Sequence, residues 1–153
     1  MAKATFDETV QKIGRECLGV RIRMLNRALT QFFDEEFRPL ELKAGQFGIL
    51  MMAASWGKVI PRDLCETLHV DASTMSRNLD RMEVQGWIEH VNDRDGRTQP
   101  FQLTMAGKKI LEQAFPLWER AQARAADLLG DMGVALLRDT TMRLGLKAEQ
   151  SKK

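Results

Sequence analysis

Apolar residues recur along most of this chain at helical spacing, with one stretch of strand spacing near the middle, and their order predicts a fold. From Asp7 to Phe33, Val10, Ile13, Cys17, Val20, Met24 and Ala28 follow one another at three- and four-residue steps, which places them on one stripe of a helix. Lys12, Arg15, Arg21, Arg23 and Arg27 fall on the opposite face. A long helix with a single stripe must bury it, and in a chain of 153 residues a partner subunit is a natural cover. Pro39 breaks the path. Leu42 to Ser55 predicts a second helix with Phe47, Leu50, Met51 and Ala54 inward, ended by Trp56-Gly57-Lys58, and Val59-Ile60 reads as a short extended pair.

Pro61 suits the first turn of a third, short helix to Leu68, because its missing N–H is not needed there. His69-Val70 makes a turn, and Asp71 is a good N-cap for a helix from Ala72 to Gln85, which Gly86 stops. Trp87 to Val91 alternates as a strand, Asn92 to Arg97 is a turn-rich loop, and Thr98 to Leu103 reads as the returning strand. Thr104 caps a long helix to Leu129, with Pro116 expected to kink it, and Met132 to Leu144 forms a last helix. The fold class is therefore mainly α: a winged helix-turn-helix lobe with a two-stranded wing in residues 40–103, flanked by apolar helices from both chain ends, residues 1–39 and 104–150.

A helix-turn-helix needs a short helix, a tight turn and a second helix whose outer face can reach base edges. Across Pro61–Gln85, Leu64, Leu68, Val70, Met75, Leu79 and Met82 hold the inward positions. The outer face of the second helix offers Ser73, Thr74, Ser76, Arg77, Asn78 and Arg81. Short hydroxyls at a helix start reach phosphates or bases without steric conflict. The Arg77 fork matches guanine O6 and N7, and Asn78 matches adenine. Asp80 and Glu83 lie on or beside this face and would repel phosphate unless paired with Arg77 or Arg81. In the wing, Arg94 and Arg97 bracket a loop that turns at Gly96; a basic side chain there suits a narrow minor groove, with Asp95 bracing Arg97.

Charge changes this picture in one respect. The whole chain is net +2, yet residues 58–103 carry six basic and eight acidic side chains. Bulk charge gives no support to nucleic-acid binding, which rests on where individual arginines sit. A winged-helix protein-interaction module that does not bind DNA stays open as the rival reading.

The run from Val70 to Ile88, the Asp93-Arg94-Asp95-Gly96-Arg97 loop and the following Leu103-Thr104-Met105-Ala106-Gly107 together resemble the recognition helix, wing and next-helix entry of MarR-family regulators. Leu42 to Leu50, with Gln46 inside, is similar to that family's second helix, and the likeness spans about residues 10–145. The resemblance implies an obligate homodimer on double-stranded DNA with a palindromic operator, residues 1–39 and 104–150 forming a helical dimerisation platform built from both chain ends. It also implies a small-molecule or oxidant signal sensed between platform and lobe. Ser73, Thr74, Ser76 and Arg77 fall at base- or phosphate-contacting positions, Arg97 at the wing arginine and Asp95 at its bracing carboxylate. His69 in the turn and Pro100 in the returning strand depart from the usual pattern.

Other constellations point elsewhere with less force. Cys17 leaves a thiol-based redox regulator as an alternative, but no tyrosine exists to hold a thiolate and the residue sits on the apolar stripe. Cys65 and His69 are four apart without a further soft ligand, so no metal is expected. The nine methionines read as core filler, although a pocket of Met with Phe115 or Trp118 would suit a small apolar or aromatic effector. No Gly-rich phosphate loop, nucleophile elbow or supported triad is present, so neither an enzyme nor a cofactor is expected. The acidic run Asp34-Glu35-Glu36 reads as a solvated helix end. The start lacks a signal-peptide pattern and the longest apolar run, Ile49 to Ala54, is too short for a bilayer, so a cytoplasmic protein away from membranes is expected.

Overall fold

The computed structural model describes residues 5–91 and 98–145. Two helices open the chain, α1 (Phe6–Glu16) and α2 (Leu18–Phe37), where the sequence pattern predicts one. Cys17 separates them with extended backbone at φ −66°, ψ 104°, and serves as the end of one helix and the start of the next. Gly14 and Gly19 flank the break and weaken the helix on both sides of it. Arg21 then turns back so that its Nε donates to the Arg15 carbonyl at 3.1 Å, replacing a bond the break removes. Helix α2 also runs four residues beyond the expected Phe33, because Phe37 is fully buried in the central core.

A turn of 3-10 helix, Arg38–Leu40, leads to α3 (Ala44–Trp56). Of the expected inward stripe, Leu50 is buried and Phe47 packs against Phe37, but Met51 and Ala54 are exposed, and Gln46, Ile49, Met52 and Ala53 are buried as well. Helix α3 packs on α2, α5 (Ala72–Val84), α6 (Met105–Arg143) and a strand, so it is apolar nearly all round and its spacing does not single out one face. The Gln46 Oε1 accepts the Lys43 N–H at 3.0 Å, so this buried amide caps its own helix.

The wing is shorter than its sequence pattern. Strands β1 (Ile88–His90) and β2 (Phe101–Leu103) pair antiparallel, Ile88 opposite Leu103 and His90 opposite Phe101. Gln99 has φ 42° and Pro100 follows, so the returning strand starts at Phe101 and not at Thr98. Phe101 exchanges both backbone hydrogen bonds with Val59 at 2.9 Å, which gives the expected extended pair a third place in the sheet.

Helix α6 continues through Pro116, on its solvent side, where water can serve the carbonyl a proline leaves unbonded. The backbone leaves helical geometry instead at Gly130, with φ 65° and ψ 168°, where the sequence pattern separates the last two helices. The acidic run is not a solvated end. Glu36 pairs with Arg120 at 2.9 Å, Arg124 reaches Glu35 at 2.8 Å and Glu36 at 3.2 Å, and the Arg124 guanidinium lies 4.4 Å from the centre of the Phe32 ring. These pairs clamp α2 to α6. The hydrogen bond from Arg124 holds the Glu35 carboxyl below its ordinary pKa, and the one from Arg120 does so for Glu36. Asp34 accepts the Ala44 N–H at 2.8 Å and so ties α2 to the start of α3.

No described helix is long and apolar enough to cross a membrane.

Candidate nucleic-acid interface

Helices α4 (Pro61–Leu68) and α5 form the helix-turn-helix. The turn between them needs a left-handed residue, and His69 supplies it at φ 51°, an unusual choice for a side chain with a Cβ. The Val70 N–H then bonds to the Cys65 carbonyl at 3.1 Å and closes the turn. Leu64 on α4 and Met75, Leu79 and Met82 on α5 are buried, while Leu68 and Val70 are half-buried, so the expected inward set points inward.

Asp71 caps α5, and its carboxylate does more than cap. It accepts the Thr74 N–H at 2.9 Å, the Ser73 hydroxyl at 2.5 Å and the Thr74 hydroxyl at 2.7 Å. Those bonds, the Ser73 hydroxyl foremost and then the Thr74 hydroxyl and N–H, hold its pKa well below the carboxylate range. The Asp-x-Ser-Thr spacing carried this arrangement in the sequence, where only the cap was read.

The outer face of α5 otherwise stands as its spacing predicts. Ser73, Thr74, Ser76, Arg77 and Arg81 are exposed. The side chains of Ser76, Arg77 and Arg81 have no hydrogen-bond or ion-pair partner among the described residues, so both guanidinium groups are available to an anionic partner. Asn78 differs. It is half-buried and its Nδ2 donates one of its two protons to the Thr74 carbonyl at 3.0 Å, which holds the amide against its own helix. Glu83 faces His90 Nε2 on β1 at 3.7 Å and pairs with neither arginine of α5.

Beyond α5 the chain is fixed to the long helix. The left-handed Gly86, at φ 70°, ends α5. Trp87 is buried, and its N–H bonds to the Met82 carbonyl at 2.9 Å. The Thr104 hydroxyl donates to the Gly86 carbonyl at 2.6 Å and accepts the Gly107 N–H at 3.0 Å. The end of the outer-facing helix, the base of the wing and the start of α6 thus form one bonded corner. The wing residues Arg94, Asp95 and Arg97 lie outside the described residues.

Cys17 is a half-buried free thiol in the break between α1 and α2, not a core residue of one continuous stripe. Phe115 and Trp118 stack on each other with ring centres 5.7 Å apart. A cleft of about 460 Å³ lies elsewhere, between α3, β2 and the start of α6, with Ala53, Leu103 and Leu111 on its walls and Lys58 and Lys108 at its polar edge.

A sequence profile described as MarR family matches residues 40–98. The multiple antibiotic resistance protein MarR of Escherichia coli is 34% identical over 101 residues, covering 65% of this chain and 70% of that protein. The same-named protein of Salmonella typhimurium is 35% identical over 97 residues, covering 63% and 67%. Among solved structures, a mutant MarR from E. coli complexed with operator DNA superposes with a TM-score of 0.75 at 27% identity, covering 87% of this chain and 96% of that one.

Proposed function

This chain belongs to the MarR family of winged helix-turn-helix transcriptional regulators, and from that premise we propose that it is a repressor that binds a palindromic operator as a homodimer and is released by a small apolar or aromatic molecule. The observation that carries the proposal is α5. It buries Met75, Leu79 and Met82 and presents Ser73, Thr74, Ser76, Arg77 and Arg81 to solvent. That division suits a helix lying in a major groove, with Arg77 donating to guanine. Its relative from E. coli was crystallised with operator DNA, which supports the same use of this lobe. Arg94 and Arg97, with Asp95 bracing, are the wing contacts in this reading.

Residues 1–39 and 104–150 are the dimerisation platform in this reading. Helix α1 buries none of its residues, and Phe6, Val10, Ile13, Ile22, Leu136 and Met142 stand exposed. Apolar surface of that extent at both chain ends favours a second copy as its cover. The dimer then holds two α5 helices about 34 Å apart, one turn of DNA. Release follows when an effector binds a different lobe spacing more tightly than the DNA-bound one. The bonded corner at Gly86, Thr104 and Gly107 and the Glu35/Glu36 pairs with α6 give a route for such a shift.

Footprinting on the DNA upstream of the protein's own coding region tests the proposal. Two protected half-sites centred about one helical turn apart are expected. A single unpaired half-site would contradict the symmetric dimer, and absence of protection at low salt would favour the interaction module that the net acidic charge of residues 58–103 suggests.

A further inference from the structure

The start of α5 has a hydrogen-bonding sense that the residue types alone do not reveal, and its meaning rests on the reading that α5 enters the major groove. An ionised carboxylate has no proton to give, so both hydroxyls that meet Asp71 donate to it. A hydroxyl has one proton and two lone pairs. With those protons held by Asp71, Ser73 and Thr74 turn only acceptors outward. The Thr74 N–H is also taken, so this group is not offered to a phosphate.

We propose that Asp71 is a specificity-determining positioning residue: it fixes Ser73 and Thr74 as acceptors, so that this end of α5 reads the exocyclic amino group of adenine or cytosine. In the major groove only adenine N6 and cytosine N4 donate, whereas guanine N7 and O6 and thymine O4 accept. A serine or threonine free to rotate would take either kind of edge. Held by Asp71, the pair rejects guanine and thymine edges and gains nothing from a phosphate oxygen. Arg77, a donor only, stands one turn further along the helix. Each half-site therefore needs an amino-bearing base near Ser73 and Thr74 beside a guanine near Arg77.

The experiment uses the full chain. A binding site is first selected from random duplex DNA with the wild type, and each base pair is then exchanged in turn. At each adenine, purine lacking the 6-amino group is also substituted. Wild type is expected to lose about tenfold in affinity where an amino group is removed opposite Ser73 or Thr74. Asp71→Asn keeps a good N-cap but turns an amide N–H toward one hydroxyl, which must then accept and is free to donate outward. The Ser73 hydroxyl and the Thr74 N–H share Oδ1, so Thr74 is the hydroxyl released, and that variant is expected to lose the amino-group preference opposite Thr74 while keeping the guanine preference that Arg77→Ala removes. Ser73→Ala and Thr74→Val, which leave the cap in place, are each expected to lose it opposite their own position. An unchanged preference profile in Asp71→Asn, or a wild type indifferent to every amino group, would overturn the inference while DNA binding stands. Failure of the wild type to select or bind any duplex at low salt would instead overturn the DNA-binding reading beneath it.

Discussion

A side chain at residue 107 would begin where the carbonyl oxygen of Trp87 already lies: a Cβ built on Gly107 falls 2.0 Å from that oxygen and 3.2 Å from the Leu103 side chain. The close approach seats α6 directly against the chain that leaves α5. Gly107→Ala must push α6 off this corner, and overpacking of this kind costs about 1–3 kcal/mol. Urea unfolding should show a lower midpoint with an unchanged slope. A midpoint equal to that of the wild type would mean that the corner yields freely and does not hold α6 in place.

Arg77 stands exposed on α5 with no partner among the described residues. Arg77→Ala should weaken specific operator binding by about 1–3 kcal/mol, and Arg77→Lys should not restore it, because lysine lacks the planar fork. Titration of each variant against the selected site checks this. Equal affinity in Arg77→Ala would remove Arg77 from the readout.

Asp71 gives a pH dependence with a definite sign. Its pKa is lowered in the fold, first by the Ser73 hydroxyl and then by Thr74, so its contribution is fully present above the ordinary carboxylate value of about 3.9 and is lost as pH falls through the lower folded value. The stability difference between wild type and Asp71→Ala should stay constant from about pH 7 to about pH 5 and shrink in stronger acid. Unfolding curves at several pH values measure it. A difference that changes between about pH 7 and pH 5 would contradict the assignment of this dependence to Asp71.

The terminal helices carry the dimer reading. Ile13 and Leu136 are 56% and 66% exposed, far too open for apolar side chains with no cover. Ile13→Glu combined with Leu136→Glu should shift a wild-type dimer toward monomer in light scattering and reduce operator affinity with it. A wild type that stays monomeric at micromolar concentration would sink the platform.

How much of this was legible in the sequence depends on what sets each feature. Helix α5 was readable to within a residue because its signals are all local: the cap Asp71 just before it, the inward Met75, Leu79 and Met82 within it, and the stop at Gly86 just after it. The inward face of α3 was readable only at Phe47 and Leu50, because a helix wrapped by four neighbours keeps little periodicity. The break at Cys17 has no proline to announce it, only two flanking glycines and an arginine that folds back. The role of Asp34, Glu35 and Glu36 was hidden because their partners Lys43, Ala44, Arg120 and Arg124 come from other elements, and ion pairs distant in sequence leave no local pattern. On α5 the outward placing of Ser73, Thr74, Ser76, Arg77 and Arg81 was legible from spacing, but two local hydrogen-bond patterns were not: Asn78 Nδ2 donates to the Thr74 carbonyl, and Asp71 accepts the hydroxyls of Ser73 and Thr74.

Fluorescence anisotropy of the full chain against its own upstream DNA, with scrambled DNA as control and at two salt concentrations, tests the central claim most directly. A sequence-specific regulator should bind the upstream fragment tightly and the scrambled one weakly, and should lose affinity steeply as salt rises, because each phosphate contact releases counterions. Equal binding to both fragments, or none to either at low salt, would contradict it.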